Sequence, residues 1–219
     1  ELFGTFGLVF FGCAAVVVNA YPGTGVALLG IALVHAVVLS VVVTATMPIS
    51  GGVCNPALTV GLFVTRRLDG KSAGAYIAAQ LVGAVLAGLM IKFVFPGGVV
   101  RAVSDGVPII ANTVTLTQAI AVEALLTFFL MSAVFGTAVS PTAPKVGGFG
   151  IGLTLFFCII AGGPLTGAAV NPARAFGPAL MSGAWTGQAV YWVGPIIGAV
   201  VAALLWDRFL LPPRETPVV

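Results

Sequence analysis

Charge is what this sequence has least of. Nine Lys and Arg with six Asp and Glu make up 7% of 219 residues, where a soluble domain carries roughly 25%. So little charge cannot cover a water-facing surface, and the absence of a basic run leaves nothing to grip nucleic acid. Histidine occurs once, at His35, which leaves little general-base chemistry at neutral pH. No Ser/His/Asp, phosphate-binding or metal-ligand constellation appears either, so an enzyme, a cofactor and a bound metal are all unexpected. Cys13, Cys54 and Cys158 are scattered, odd in number and without CxxC spacing, so they predict small apolar packing residues and no disulfide framework. The glycine run Gly147-Gly148-Phe149-Gly150-Ile151-Gly152 lacks both the spacing and the preceding strand of a nucleotide loop.

What the sequence has in excess is apolar length, with 59% of its residues hydrophobic. Crossing a hydrocarbon core of about 30 Å takes ~20 apolar residues in a helix. Six stretches qualify: 2–20, 25–47, 73–95, 119–139, 147–163 and 189–211. The first is long enough to span and lacks a basic leader, so it predicts a span and no cleavable signal peptide. Two apolar remainders, 55–65 and 171–182, would rise only ~15–18 Å as helices, about half a membrane. Each begins with the same tripeptide, Asn55-Pro56-Ala57 and Asn171-Pro172-Ala173. Asparagine is a preferred helix N-cap and proline a preferred first helical residue, so each tripeptide predicts a helix start. Its free N–H groups must face protein or water, because lipid cannot satisfy them.

The chain is internally duplicated. Glu1-x-x-x-Thr5-Phe6 and Glu123-x-x-x-Thr127-Phe128 are followed 54 and 48 residues later by the Asn of each tripeptide. The expected halves are 1–116 and 117–219, each with three spans and one half-helix, folded as one structural domain. Three is odd, so the halves must enter the membrane from opposite sides as inverted repeats. The predicted fold is therefore an all-α membrane protein of six transmembrane helices plus two re-entrant half-helices meeting near the midplane. Glu1 and Glu123 lie at equivalent places in the two halves. A carboxylate at such depth needs partners, and the backbone N–H groups of each re-entrant loop would supply them. Small residues at four-residue spacing (Ala79, Gly83, Ala87; Gly148, Gly152; Gly194, Gly198, Ala202) predict close helix packing.

The basic residues predict orientation. With the N-terminus cytoplasmic, Arg66, Arg67, Lys71, Lys145, Arg208 and Arg214 all lie inside and only Lys92 and Arg101 outside, as the positive-inside rule requires. Both termini are then cytoplasmic.

The paired tripeptides, the second extended as Asn171-Pro-Ala-Arg174-Ala-Phe-Gly-Pro178, together with Ser50-Gly-Gly and Thr166-Gly167 before them, resemble the aquaporin (major intrinsic protein) family over essentially the whole chain. The resemblance implies a homotetramer in the bilayer, each subunit with a narrow pore for water and small neutral solutes; a plasma (inner) membrane location is expected. At mid-membrane the side-chain N–H groups of Asn55 and Asn171 would donate to a passing water, and both half-helix N-termini would point at it. If each terminus carries ~0.5 positive charge about 5 Å away at an effective dielectric of ~20, a cation meets a barrier of about 3 kcal/mol. That is too little to exclude protons, so dehydration, water orientation and the charge of Arg174 must supply the rest.

By offset from the motifs, the family's selectivity filter falls on His35, Ile159, Ala168 and Arg174. This set resembles the filter of plant vacuolar aquaporins, which implies water with ammonia, hydrogen peroxide or urea as secondary solutes. Glycerol channels of the family carry Asp after the filter Arg and a basic residue four positions later, where this chain has Ala175 and Ala179. Cys54 and Val170 directly precede the two asparagines and are expected to close the pore wall. Ala168 stands where many relatives carry a mercury-sensitive cysteine, which leaves Cys54 as the alternative thiol.

Overall fold

Apolar runs of this length can satisfy their backbone in lipid only as helices or closed barrels, and this chain takes the first course. The computed structural model describes residues 1–212, and among these there are helices and no strands. The elements are α1 (Leu2–Asn19), α2 (Ala27–Ser50), α3 (Pro56–Val64), α4 (Gly70–Val94), α5 (Gly97–Ala102), α6 (Leu116–Val134), α7 (Phe149–Thr166), α8 (Pro172–Ser182) and α9 (Val190–Leu205). Six of the described helices are long and apolar enough to cross a membrane, those of α1, α2, α4, α6, α7 and α9. The half-helices α3 and α8 have 9 and 11 residues. Arg214, one of the basic residues used for orientation, lies outside the described residues.

Two boundaries differ from the sequence expectation for the same reason. α2 and α7 each run three residues further, to Ser50 and Thr166, through Pro48 and Pro164 in their last turns. A proline there costs a hydrogen bond but need not end the helix. Both stop instead at a left-handed glycine, Gly51 (φ 89°) and Gly167 (φ 78°), whose N–H donates to Met47 O and Gly163 O. α6 and α9 lengthen at their C-termini through single π turns, Phe135–Val139 and Trp206–Leu210. Side-chain caps explain two of the starts. Asp69 caps α4 by accepting from Lys71 N and Ser72 N at 2.9 and 3.0 Å. The Ser72 hydroxyl on the same carboxylate, with the Ser72 and Lys71 N–H groups behind it, holds the Asp69 carboxyl below its ordinary value. Thr115 and Gln118 form a capping box at α6.

Within each half the first long helix packs on the last, α1 on α4 and α6 on α9, while α2 packs on α7 between halves. Each half-helix seats mainly on the other half's terms: α3 lies against α9 and α8 against α4. Glycines set these distances. A methyl at Gly83 would overlap the Leu2 carbonyl, at Gly198 that of Ala124, at Gly152 that of Ala36 and at Gly177 that of Ala84. The outward faces are apolar, with Phe3, Val41, Phe93, Leu125 and Val201 all exposed, as a helix bundle facing hydrocarbon requires.

Candidate channel between the paired half-helices

Capping chemistry builds the centre of the molecule. Asn55 takes an extended backbone (φ −155°), and its Oδ1 accepts from Ala57 N at 2.9 Å. Asn171 does the same (φ −156°), accepting from Ala173 N at 2.9 Å and Arg174 N at 3.3 Å. Pro56 and Pro172 occupy the first helical positions, where no N–H is missed. Each asparagine then donates its amide across to the other half: Asn55 Nδ2 to Val170 O and Asn171 Nδ2 to Cys54 O, both at 2.8 Å. The half-helices thus meet tip to tip. One hydrogen of each amide is committed to this clasp and the second remains for the cavity that both residues line. Cys54 and Val170 adopt positive φ (51° and 46°), which turns their carbonyls onto the opposite asparagine. The Cys54 thiol lies against Gly4 of α1, and all three cysteines are buried.

Both carboxylates support the loops behind these tips. Glu1 accepts from Val53 N (3.0 Å), Cys54 N (2.7 Å), Ser50 Oγ (2.7 Å) and Gln80 Nε2 (2.7 Å). Glu123, fully buried, accepts from Ala169 N (3.0 Å), Val170 N (2.7 Å) and Thr166 Oγ1 (2.6 Å). Tyr76 and Tyr191 donate their hydroxyls to Ser50 O and Thr166 O at 2.9 and 2.8 Å. Sequence reasoning marked Tyr191, with Trp192, as matching the water-channel pattern of the family, but did not single out Gln80, Tyr76 or the pairing of the two tyrosines. The signal for the tyrosines was present, since they follow equivalent hydroxyl residues by nearly equal distances.

Two cavities enter from opposite ends. One, of about 350 Å³, runs from Arg67 and Tyr76 past Leu39, Ile151 and Leu155 to Asn55, Asn171 and Arg174. The other, of about 210 Å³, is lined by Ile31, His35, Val107, Ile159, Gly167 and Arg174. Arg174 is common to both. His35, Ile159 and Arg174 therefore come together. Ala168, the fourth residue of the set, is buried with a positive φ (45°), and it is the backbone of its neighbour Gly167 that lines the cavity. His35 Nδ1 lies 2.9 Å from Ile31 O. Only an N–H can serve that carbonyl, so the neutral ring leaves Nε2 as an acceptor. α1 accommodates the ring at Gly12, where a methyl would overlap Nε2.

The connection between α4 and α6 completes the narrow region. Arg174 Nη1 donates to Gly106 O at 2.9 Å, so a backbone carbonyl 68 residues away holds the guanidinium. Gly106 has φ 82°, and a Cβ there would sit 3.0 Å from Cys13 Cα; glycine is the residue that fits. The sequence reading passed over Gly106, although Asp105-Gly106 is a turn signal. At the opposite mouth Arg67 pairs with Asp207 at 2.7 Å and lies 5.2 Å from the centre of the Phe135 ring.

Cavities from opposite ends that share a guanidinium beside clasped half-helices, within six spanning helices, define an integral multi-pass membrane channel. The chain belongs to the major intrinsic protein family, which it matches over residues 1–206. Members of that family are channels and not enzymes. It is 42% identical over 222 residues to aquaporin TIP4-4 of Zea mays, covering 96% of this chain and 85% of that protein. It is 39% identical over 208 residues to nodulin-26 of Glycine max, covering 94% and 75%. Among solved structures, the aquaglyceroporin of Plasmodium falciparum superposes with a TM-score of 0.81 at 22% identity, covering 95% of this chain and 93% of that one. At that identity the likeness is one of fold alone.

Proposed function

We propose that this chain is a passive channel for water that excludes ions and protons, with ammonia, hydrogen peroxide and urea as secondary solutes. The observation that carries the reading is the meeting of the two cavities at Arg174, with the amides of Asn55 and Asn171 on the larger one. A water leaving bulk meets fixed donors at Arg174 and at the free amide hydrogens, and an acceptor at His35 Nε2 if the ring is neutral. A cation meets a guanidinium and the positive ends of α3 and α8, with mostly apolar walls in place of its hydration shell. His35, Ile159, Ala168 and Arg174 act as the filter, Ala168 through the backbone turn it shares with Gly167. The similarity to a plant aquaporin supports the same reading.

Coupled transport would need a carboxylate free to bind an ion. Glu1 and Glu123 are instead occupied by loop N–H and hydroxyl groups. Glycerol facilitation is the second reading within the family, and the aquaglyceroporin likeness does not favour it beyond the fold. Ala175 and Ala179 are fully buried, so neither contributes a polar contact to a polyol. The halves 1–116 and 117–219 act as inverted repeats of one domain. Cytoplasmic termini follow from the basic residues on the Arg67 side. A homotetramer in the plasma (inner) membrane completes the proposal.

Stopped-flow light scattering on proteoliposomes tests the reading. Water permeability well above empty vesicles is expected, with glycerol entry near the lipid background; glycerol flux that keeps pace with water refutes the ranking. In His35→Phe, ammonia and urea permeability should fall more than water permeability, because the larger phenyl ring narrows the filter and lacks the imidazole acceptor. An equal fall in all three would remove His35 from the filter.

A further inference from the structure

The turn that reaches Arg174 carries an ion pair that the channel reading leaves unused. Ser104 and Asp105 both adopt positive φ (47° and 59°), and the turn they make aims Gly106 O at Arg174. Asp105 is 2% exposed, and its Oδ2 has no hydrogen-bond partner. The cation beside it is Lys92 Nζ, at 3.3 Å. Lys92 lies in the last turn of α4, and its ammonium also donates to Met181 O in the last turn of α8. α8 is the half-helix whose first turn carries Arg174.

We propose that Lys92 and Asp105 form a strut that positions Arg174, which makes them positioning residues for the filter. The inference rests on the reading of Arg174 as a filter residue. Lys92 joins the far end of the helix bearing Arg174 to the loop that supplies its acceptor. Backbone and guanidinium are thereby held by one connected set of contacts: α8, Lys92, Asp105 and Gly106 O. A left-handed non-glycine residue is unfavourable in isolation, and an enclosed carboxylate needs a counter-charge. The pair with Lys92 offsets both by fixing the turn. Without it the turn can withdraw, Gly106 O leaves Arg174, and the guanidinium is free to swing. The aperture then ceases to be sharply defined, and solutes larger than water gain most.

The test is the ratio of urea to water permeability in proteoliposomes, measured for wild type, Arg174→Ala, Asp105→Asn, Lys92→Met and Lys92→Arg. Asp105→Asn removes a negative charge and Lys92→Met a positive one, so a purely electrostatic influence would move cation leak in opposite directions. A strut predicts the same change in both: a ratio raised about three-fold or more, the size of a typical indirect coupling. Lys92→Arg keeps the pair and should keep the wild-type ratio. Lys92 is 45% exposed at its side chain, so if Asp105→Asn does not assemble, the two Lys92 variants decide alone. Ratios at the wild-type value in Asp105→Asn and Lys92→Met, with Arg174→Ala raised, overturn the strut and leave the filter standing. Cation leak, measured in the same vesicles, that moves in opposite directions in the two variants while the ratio stays at the wild-type value also overturns it. A wild-type ratio in Arg174→Ala overturns the filter reading and the strut with it.

Discussion

The two re-entrant loops share one backbone plan and differ in how tightly the surroundings hold it. In the second half the carboxylate is Glu123, sealed completely and served by one hydroxyl and two N–H groups. In the first half Glu1 takes a fourth donor, the side chain of Gln80, itself fully buried and also bonded to Thr59 at 3.0 Å. The half-helices differ in how they are packed. α8 meets the backbone of α4 at Gly177, whereas the nearest atom to Gly61 of α3 is the flexible end of Met131. The half that carries Arg174 is the more rigidly fixed.

Removing the carboxylates should show the contrast at its greatest. Glu123→Ala leaves two buried N–H groups and a hydroxyl unserved, a loss of about 3–5 kcal/mol at the usual penalty per unsatisfied group. Glu1→Ala leaves Gln80 its bond to Thr59 and should cost less. Thermal unfolding in detergent, followed by tryptophan fluorescence, measures both; equal losses would mean that the Gln80–Thr59 bond does not compensate for the missing carboxylate.

The glycines sharpen the same point. Gly177→Ala drives a methyl into the Ala84 backbone, which cannot step aside, for a cost of about 2–3 kcal/mol. Gly61→Ala needs a shift of Met131 and a give of a few tenths of an ångström at the Ala199 carbonyl, 3.2 Å away, and should cost about 1 kcal/mol. The order of the two melting temperatures is the measurement, and a reversal would contradict the packing described for α3 and α8.

The caps should differ least. Asn171 accepts from two N–H groups and Asn55 from one, while each donates one bond across the clasp. Asn171→Ala should therefore destabilise by about 2 kcal/mol, and Asn55→Ala by slightly less. Water permeability of the surviving protein separates this from a loss of function: both variants should conduct and leak more cations, Asn171→Ala the more so.

Much of this was legible in the residues because it is local. Asn-Pro announces a helix start through bonds spanning two or three positions, and the six apolar runs are helices because lipid allows little else. The repeat puts Glu1 and Glu123 at equivalent positions behind the two loops. The ends of α2 and α7 were misjudged by three residues because Pro48 and Pro164 sit where a helix can tolerate them and the real stop is a glycine. Gln80 gave no local signal: a glutamine in an apolar span has many possible partners, and only the packing of α4 on α1 selects Glu1.

Sequence alone determined the number of crossings, the two short helices and the identity of the residues at their tips, since each depends on hydropathy and on bonds within a single turn. The tertiary structure alone decided that each asparagine clasps the carbonyl before the other, that Gly106 holds Arg174, and that Lys92 reaches both Asp105 and Met181. Those contacts join segments whose separation along the chain carries no pattern. They exist because inverted halves, packed through their glycines, bring the segments to the same place.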